Sequence, residues 1–275
     1  MSEAARPPRR TWAARRASAV GEAARWLPAV FVFVAAVLIW EMATAGQGRR
    51  VIPPPSRVIE AAAENAEVLR RSAQATFFEA LGGLALGTLL GIVVAFATAR
   101  WATARGVLLP VAIASSAIPI IAVAPILNNW FGVLNPLSKM AMAALLVFFP
   151  VMINVTRGLV EVPPATVELM RSYASSEWEI VTKVRVPNML PFLFTALKVG
   201  TTLAFIGAIV GEYFGGTSQV IGRIVLTSMS SGRFDLAWAG ILIGALGAIA
   251  AYLVVTVVER LAIPWYASRM GGAMG

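Results

Sequence analysis

Residues 168–191 read ELMRSYASSEWEIVTKVRVPNMLP, a charged and amphipathic stretch set between long apolar segments. Its neighbours make it decisive. Gly106 to Ser138, Met140 to Thr156 and Leu236 to Val258 carry no charged residue, and neither does Ala80 to Ala99. A helix needs about 20 mostly apolar residues to cross a bilayer, and these runs are long enough. The chain is 58% apolar and 13% charged, with mean hydropathy +0.76. Soluble domains carry about twice that share of charge. The fold class expected is therefore an all-α integral membrane protein with a polar insert outside the bilayer.

Working outward from the insert, six spans are expected, at about 26–45, 76–99, 107–127, 137–155, 191–214 and 236–258. Residues 1–25 form a basic tail. Trp26 to Ala45 forms the first span, although its basic start and the small residues Ala43-Thr44-Ala45 also fit a signal peptide. Residues 46–75 form a periplasmic or interfacial segment. Within it Pro53-Pro54-Pro55 favours extended chain, and Ser56 to Ala73 has helical periodicity with many charges. Residues 76–266 form a five-helix core containing a polar loop over 157–190, and 267–275 form a C-terminal tail. Pro110, Pro119 and Pro125 fall in the third span, where neighbouring groups satisfy the freed carbonyls. Asn128 to Pro136 and the stretch from Gly215 to Arg233 read as loops.

The net charge of +9 does not point to nucleic acid, because the arginines cluster at the ends of apolar runs. Positive charge there sets topology. With the N-terminus inside, the inner segments hold 14 basic residues and the outer segments 8, with Lys198 inside the fifth span. Both termini and the 157–190 insert are thus expected in the cytoplasm. The absence of Cys and His excludes disulfides, thiolate chemistry and imidazole acid-base catalysis. No set of residues has the spacing of a metal or catalytic site, so no catalytic residue, metal or cofactor is expected on this chain. Lys139, Lys183 and Lys198 are each followed by Met or Val, so no phosphate-binding Gly-Lys-Ser/Thr loop exists.

In the insert, Pro163-Pro164 can end one helix and start another. A helix over 165–174 places Leu169, Met170 and Tyr173 on one face and pairs Glu168 with Arg171. Ser176-Glu177-Trp178-Glu179 is a capping box that opens a second short helix, ended by Pro187. Two short helices joined near Ala174 make a knob. The bland alternative is a surface-lying amphipathic hairpin without a partner.

This arrangement resembles the cytoplasmic loop of permease subunits of ATP-binding-cassette importers. Their pattern is Glu-Ala-Ala, three residues, Gly, nine residues, then Ile-x-Leu-Pro. Glu168, Ala174, Val184, Val186 and Pro187 stand at the Glu, Gly, Ile, Leu and Pro places. Leu169 and Met170 replace the alanines, and Ala174 replaces the glycine, which removes easy access to positive φ. IPIIAVAPILNNWFG (118–132), LSKMAMAALLVFFPVMINVTRGL (137–159) and GAIVGEYFGG (207–216) look like the branch that imports sulfonates, nitrate, taurine, riboflavin or pyrimidine-type vitamin precursors. The resemblance implies a knob that docks on a separate ATPase subunit, which binds ATP and magnesium. It also implies a homodimer of permeases and an extracytoplasmic substrate-binding protein. An ion-driven secondary transporter is the rival expectation.

Gly83, Gly87 and Gly91 lie on one helix face, as do Gly207, Gly211 and Gly215, and Gly240 with Gly244. Small residues at this spacing let helices approach closely, so packing is the role expected of them. Glu79, Asn154, Lys198 and Glu212 are the candidates for pore or interface roles. Glu79 and Glu212 fall near the outer ends of spans, and Lys198 lies where it can reach the inner interface. Asn154 is placed to bond between helices, and Asn128 and Asn129 fall in the expected loop.

Overall fold

Three helices that approach closely at glycine build the centre of the molecule. The computed structural model describes residues 12–44, 51–115, 119–217 and 219–265. Helix α3 (Ala66–Arg100) lies against α6 (Pro136–Val160) along Gly83, Gly87 and Gly91. A Cβ on Gly87 would stand 2.5 Å from the Ala144 carbonyl, and one on Gly91 2.9 Å from Val151. Helix α9 (Val186–Phe214) packs on the same α6, where a Cβ on Gly207 would stand 2.7 Å from the Ala143 Cα. Gly211 faces Lys139 and Met142. Apolar side chains with no cost in lipid gain little by clustering, so close backbone approach supplies the packing between such helices. Ala80, Ala143, Val147, Val151, Val155, Ala204 and Phe205 fill the space between them.

The remaining elements surround this centre. Helix α1 (Trp12–Thr44) begins inside the stretch read as a tail, and its apolar part spans Leu27–Thr44. Residues 1–11, Ala45 and the C-terminal 266–275 lie outside the described residues. Glu41 accepts hydrogen bonds from the Ser56 N–H at 3.0 Å and the Ser56 hydroxyl at 2.7 Å. That ties α1 to the start of α2 (Pro55–Glu64). Helix α11 (Phe234–Ala262) packs on α9 and α2, with Trp238 against Trp40 at 5.5 Å.

Among the described residues, five helical stretches are long and apolar enough to cross a membrane: 27–44, 66–100, 136–160, 177–214 and 234–262. The chain is an all-helical, multi-pass membrane protein. The third expected span differs. Its place is taken by α4 (Ala102–Ser115) and α5 (Ile120–Phe131), of 14 and 12 residues. At about 1.5 Å per residue, neither alone spans a hydrocarbon core of about 30 Å. Pro119 sits in extended backbone as the cap of α5 and starts a new helix instead of bending one.

Two expected loops are shorter than the composition suggested. Asn128 and Asn129 belong to the last turn of α5, and the turn proper is Gly132 to Asn135. Asn135 caps α6 by accepting from the Leu137 N–H at 3.0 Å. Within 215–233, α10 (Ile221–Ser230) buries Ile221, Ile224, Val225 and Ser228. That i, i+3, i+4, i+7 spacing is an amphipathic helix, which low average hydropathy concealed. It packs with Val58 of α2 and Leu69 of α3.

Candidate functional site: an exposed knob and a buried charge cluster

The knob begins where α6 ends. Pro163 and Pro164 open α7 (Pro164–Ser172), none of whose residues is buried. Leu169, Tyr173 and Trp178 are 56%, 76% and 74% exposed. Met170 is half-buried, and Glu168 is exposed and makes no ion pair among the described residues. Arg171 does not pair with Glu168 as the i, i+3 spacing suggested. It reaches across the turn to Glu177 at 3.0 Å. The turn is compact enough to bring the next helix within its reach.

That turn is left-handed although it carries no glycine. Ala174 has φ +55°. The Ala174 N–H donates to the Arg171 carbonyl at 2.9 Å, and the Ser175 N–H to the Met170 carbonyl at 3.1 Å. This pair of bonds is a Schellman cap, with Ala174 at the position glycine normally takes. The backbone thus keeps the geometry that Ala174 disfavours.

Helix α8 (Glu177–Ile180) opens with the expected capping box. The Ser176 hydroxyl accepts from the Glu179 N–H, and the Glu179 carboxylate accepts from the Ser176 N–H at 3.0 Å. The helix does not end at Pro187. It passes through one wide turn, Val181–Arg185, in which the Val186 N–H bonds back five residues to Val181. It then continues as α9. Pro187 has no N–H to donate and its ring crowds the carbonyl four residues earlier. A wide turn upstream absorbs both defects, so 177–214 runs on as one rod. Val184 is half-buried within that turn.

Residues that the motif did not include fasten the knob to the centre. Ile180 is fully buried. Asn188 donates to the Gly158 carbonyl at 2.8 Å and the Glu161 carbonyl at 3.2 Å, serving orphan acceptors at the end of α6. Gly158 lets α9 come close, since a Cβ there would stand 2.6 Å from the Met189 Cα. An Asn one place after Pro187, and a Gly two places before the Val160 end of α6, were the sequence signals.

About 30 Å away along α6 and α9, by rise per residue, a buried polar cluster joins the same three helices. Glu79 comes from α3, Lys139 from α6 and Glu212 from α9, and all three are buried. The Glu212 carboxylate accepts from the Gly222 N–H at 2.5 Å, and beside it the Thr76 hydroxyl accepts from the Ile221 N–H at 3.0 Å. One oxygen of each carboxyl group, Glu79 Oε2 and Glu212 Oε1, is buried with no hydrogen-bond partner among the described residues. Lys139 donates to the Val133 and Asn135 carbonyls, and no ion pair of 4.0 Å or less joins it to either carboxylate among the described residues. From the sequence, Glu79 and Glu212 are candidates for either a pore or an interface role, and Lys139 counts only toward topology. Their common depth, near the same end of three spans, was the available signal.

The other two candidates lie elsewhere. Lys198 forms an ion pair with Glu259 of α11 at 2.7 Å, a partner the sequence reading missed. Asn154 donates to the Pro150 carbonyl at 2.8 Å within its own helix, not across to a neighbour. Among the described residues no group of His, Cys, Asp or Glu is placed to hold a metal ion.

The family model for the inner membrane component of binding-protein-dependent transport systems matches residues 87–266. The chain belongs to this family. The matched part of this permease runs from the middle of α3 through the knob to the end of α11. The permease is 34% identical over 221 residues to a probable ABC transporter permease protein of Haemophilus influenzae, covering 80% of this chain and 89% of that one. It is 35% identical over 163 residues to the riboflavin transport system permease protein RibX of Chloroflexus aurantiacus, covering 58% and 59%. It is 30% identical over 240 residues to the formylaminopyrimidine transport permease protein ThiX of Halalkalibacterium halodurans, covering 86% and 95%.

Proposed function

We propose that this permease is the membrane-spanning subunit of an ATP-driven importer, and that the knob at 164–178 docks on a separate ATPase. The observation that carries this reading is the knob itself. Its first helix buries nothing within the chain, presents Leu169 and Tyr173 outward, and is fastened to α6 and α9 by Asn188, Gly158 and Ile180. Exposed apolar side chains on a rigidly held element mark an interaction surface. The rod 177–214 then links that surface to the buried cluster at its other end.

On this reading ATP and magnesium bind the partner, and this chain carries no catalytic residue or cofactor. ATP binding would favour one pore orientation through its different contacts with the knob in the two states. Two copies of the permease form the pore, both termini face the cytoplasm, and an external binding protein delivers the solute. RibX and ThiX favour a riboflavin-type or pyrimidine-type solute, with a sulfonate, nitrate or taurine as the second choice. The buried Glu79, Lys139 and Glu212 favour the rival, an ion-driven carrier, because ionisable groups inside a membrane often mark ion paths.

The test is co-purification of the tagged chain in mild detergent, with and without Glu168→Lys. Recovery of an ABC-type ATPase with the native chain and its loss from the variant supports docking through the knob. Ion-driven uptake by liposomes holding the chain alone, with no ATPase recovered, overturns the reading in favour of the carrier.

A further inference from the structure

A groove of about 670 Å³ opens between the end of α3, the end of α6 and the base of the knob. Its basic lining residues are Arg100, Arg171 and Arg185, against the single acid Glu177. Arg171 is taken up by Glu177, which leaves Arg100 and Arg185. The Arg185 Nε is buried with no hydrogen-bond partner. Neither Arg100 nor Arg185 makes an ion pair or a side-chain hydrogen bond among the described residues, so two guanidinium groups line the groove with no acceptor from the chain itself.

The groove's position says what that acceptor belongs to. Trp101 and Trp178 flank it, and tryptophan concentrates at the level of lipid headgroups. Leu86, Leu89, Leu90, Val93 and Phe96 run along the exposed side of α3 toward it. Their spacing of three and four keeps them on the face that carries Arg100. An apolar stripe in the hydrocarbon therefore leads into a pair of arginines at its edge.

We infer that this groove binds the phosphate of an anionic phospholipid from the leaflet on the knob's side, with an acyl chain along the exposed face of α3. A phosphate oxygen offers the acceptor that Arg100 and Arg185 lack in the chain itself, and guanidinium forks suit it. The basic N-terminal stretch of the chain is a poor occupant, because its arginines would meet arginines. A bound lipid would bridge α3 to the knob at the membrane edge. This does not depend on what the knob docks on.

Native mass spectrometry of the purified chain tests the inference, with phosphatidylglycerol, phosphatidylcholine and inorganic phosphate as probes. The native chain is expected to retain phosphatidylglycerol about tenfold more tightly than phosphatidylcholine, whose choline cation offsets the phosphate charge that the two arginines attract. Arg100→Gln with Arg185→Gln should abolish that preference. Arg70→Gln with Arg71→Gln, at the opposite end of α3, should leave it. Arg100 is exposed, so Arg100→Gln alone keeps the test valid if the double variant does not fold. Equal retention of the two lipids overturns the proposal, and so does an unchanged preference in Arg100→Gln. Displacement of phosphatidylglycerol by millimolar phosphate would show a free-anion site and also overturn it.

Discussion

Arg171 at the end of α7 bonds Glu177 at the start of α8 at 3.0 Å, closing the knob across its own turn. The two are six residues apart, so only a tight turn brings them together. Both side chains are exposed, and such pairs contribute little to overall stability. The pair acts instead on local opening. Arg171→Ala and Glu177→Ala should each speed amide hydrogen exchange over 172–176, the double variant should add nothing further, and the melting temperature should barely move. Additive effects would mean that the two residues act separately.

Ala174 holds φ +55° without glycine's freedom. A left-handed residue with a Cβ costs about 1–2 kcal/mol. Glycine regains that but loses about 0.4–1 kcal/mol through its freer unfolded chain. Ala174→Gly should therefore stabilise the turn by a net of about 0.5–1 kcal/mol. Slower exchange at the Ser175 amide, which bonds the Met170 carbonyl, is the expected readout. Ala174→Val should do the reverse.

Glu79 and Glu212 are both buried, but among the described residues only Glu212 accepts a hydrogen bond, which makes the two unequal under substitution. Glu79→Gln removes a buried acid that answers no donor and should be tolerated. Glu212→Leu strips the Gly222 N–H of its acceptor and should cost about 1–3 kcal/mol, the range for one unsatisfied buried group. Thermal unfolding in detergent distinguishes them. Equal losses for the two variants would contradict that difference.

Gly87 lies where α3 touches the backbone of α6. A Cβ there meets the Ala144 carbonyl at 2.5 Å and Val147 at 2.9 Å, neither of which is a flexible chain end. Gly87→Leu should force the helices apart and cost about 3 kcal/mol or more, at the upper end of overpacking effects. Gly106→Leu, inside α4 with nothing within 4 Å, is the control and should not lower the melting temperature.

Much of this was legible in the chain. The long apolar runs gave the membrane class, and glycines at four-residue spacing stand where α3, α6 and α9 come closest. The Ser176 to Glu179 capping box is present as read, because a cap is decided by four neighbouring residues. Features set by tertiary context were harder. Pro187 looked like a stop, but a wide turn upstream let the helix continue. The i, i+3 spacing offered Glu168 to Arg171, and a left-handed turn offered Glu177 instead. Lys139 read as a topology signal, since nothing local shows that two carboxyl groups from distant helices sit near it. Hydropathy averages hid α10, whose polar residues occupy one side only.

The carboxyl pair also bears on how the protein is made. Glu79 enters the bilayer with α3, and Glu212 leaves the ribosome about 130 residues later. Through that interval α3 carries an acid whose buried surroundings are incomplete, and charge is costly in lipid. The cluster closes only when α9, part of the fourth of the long helical stretches, is delivered.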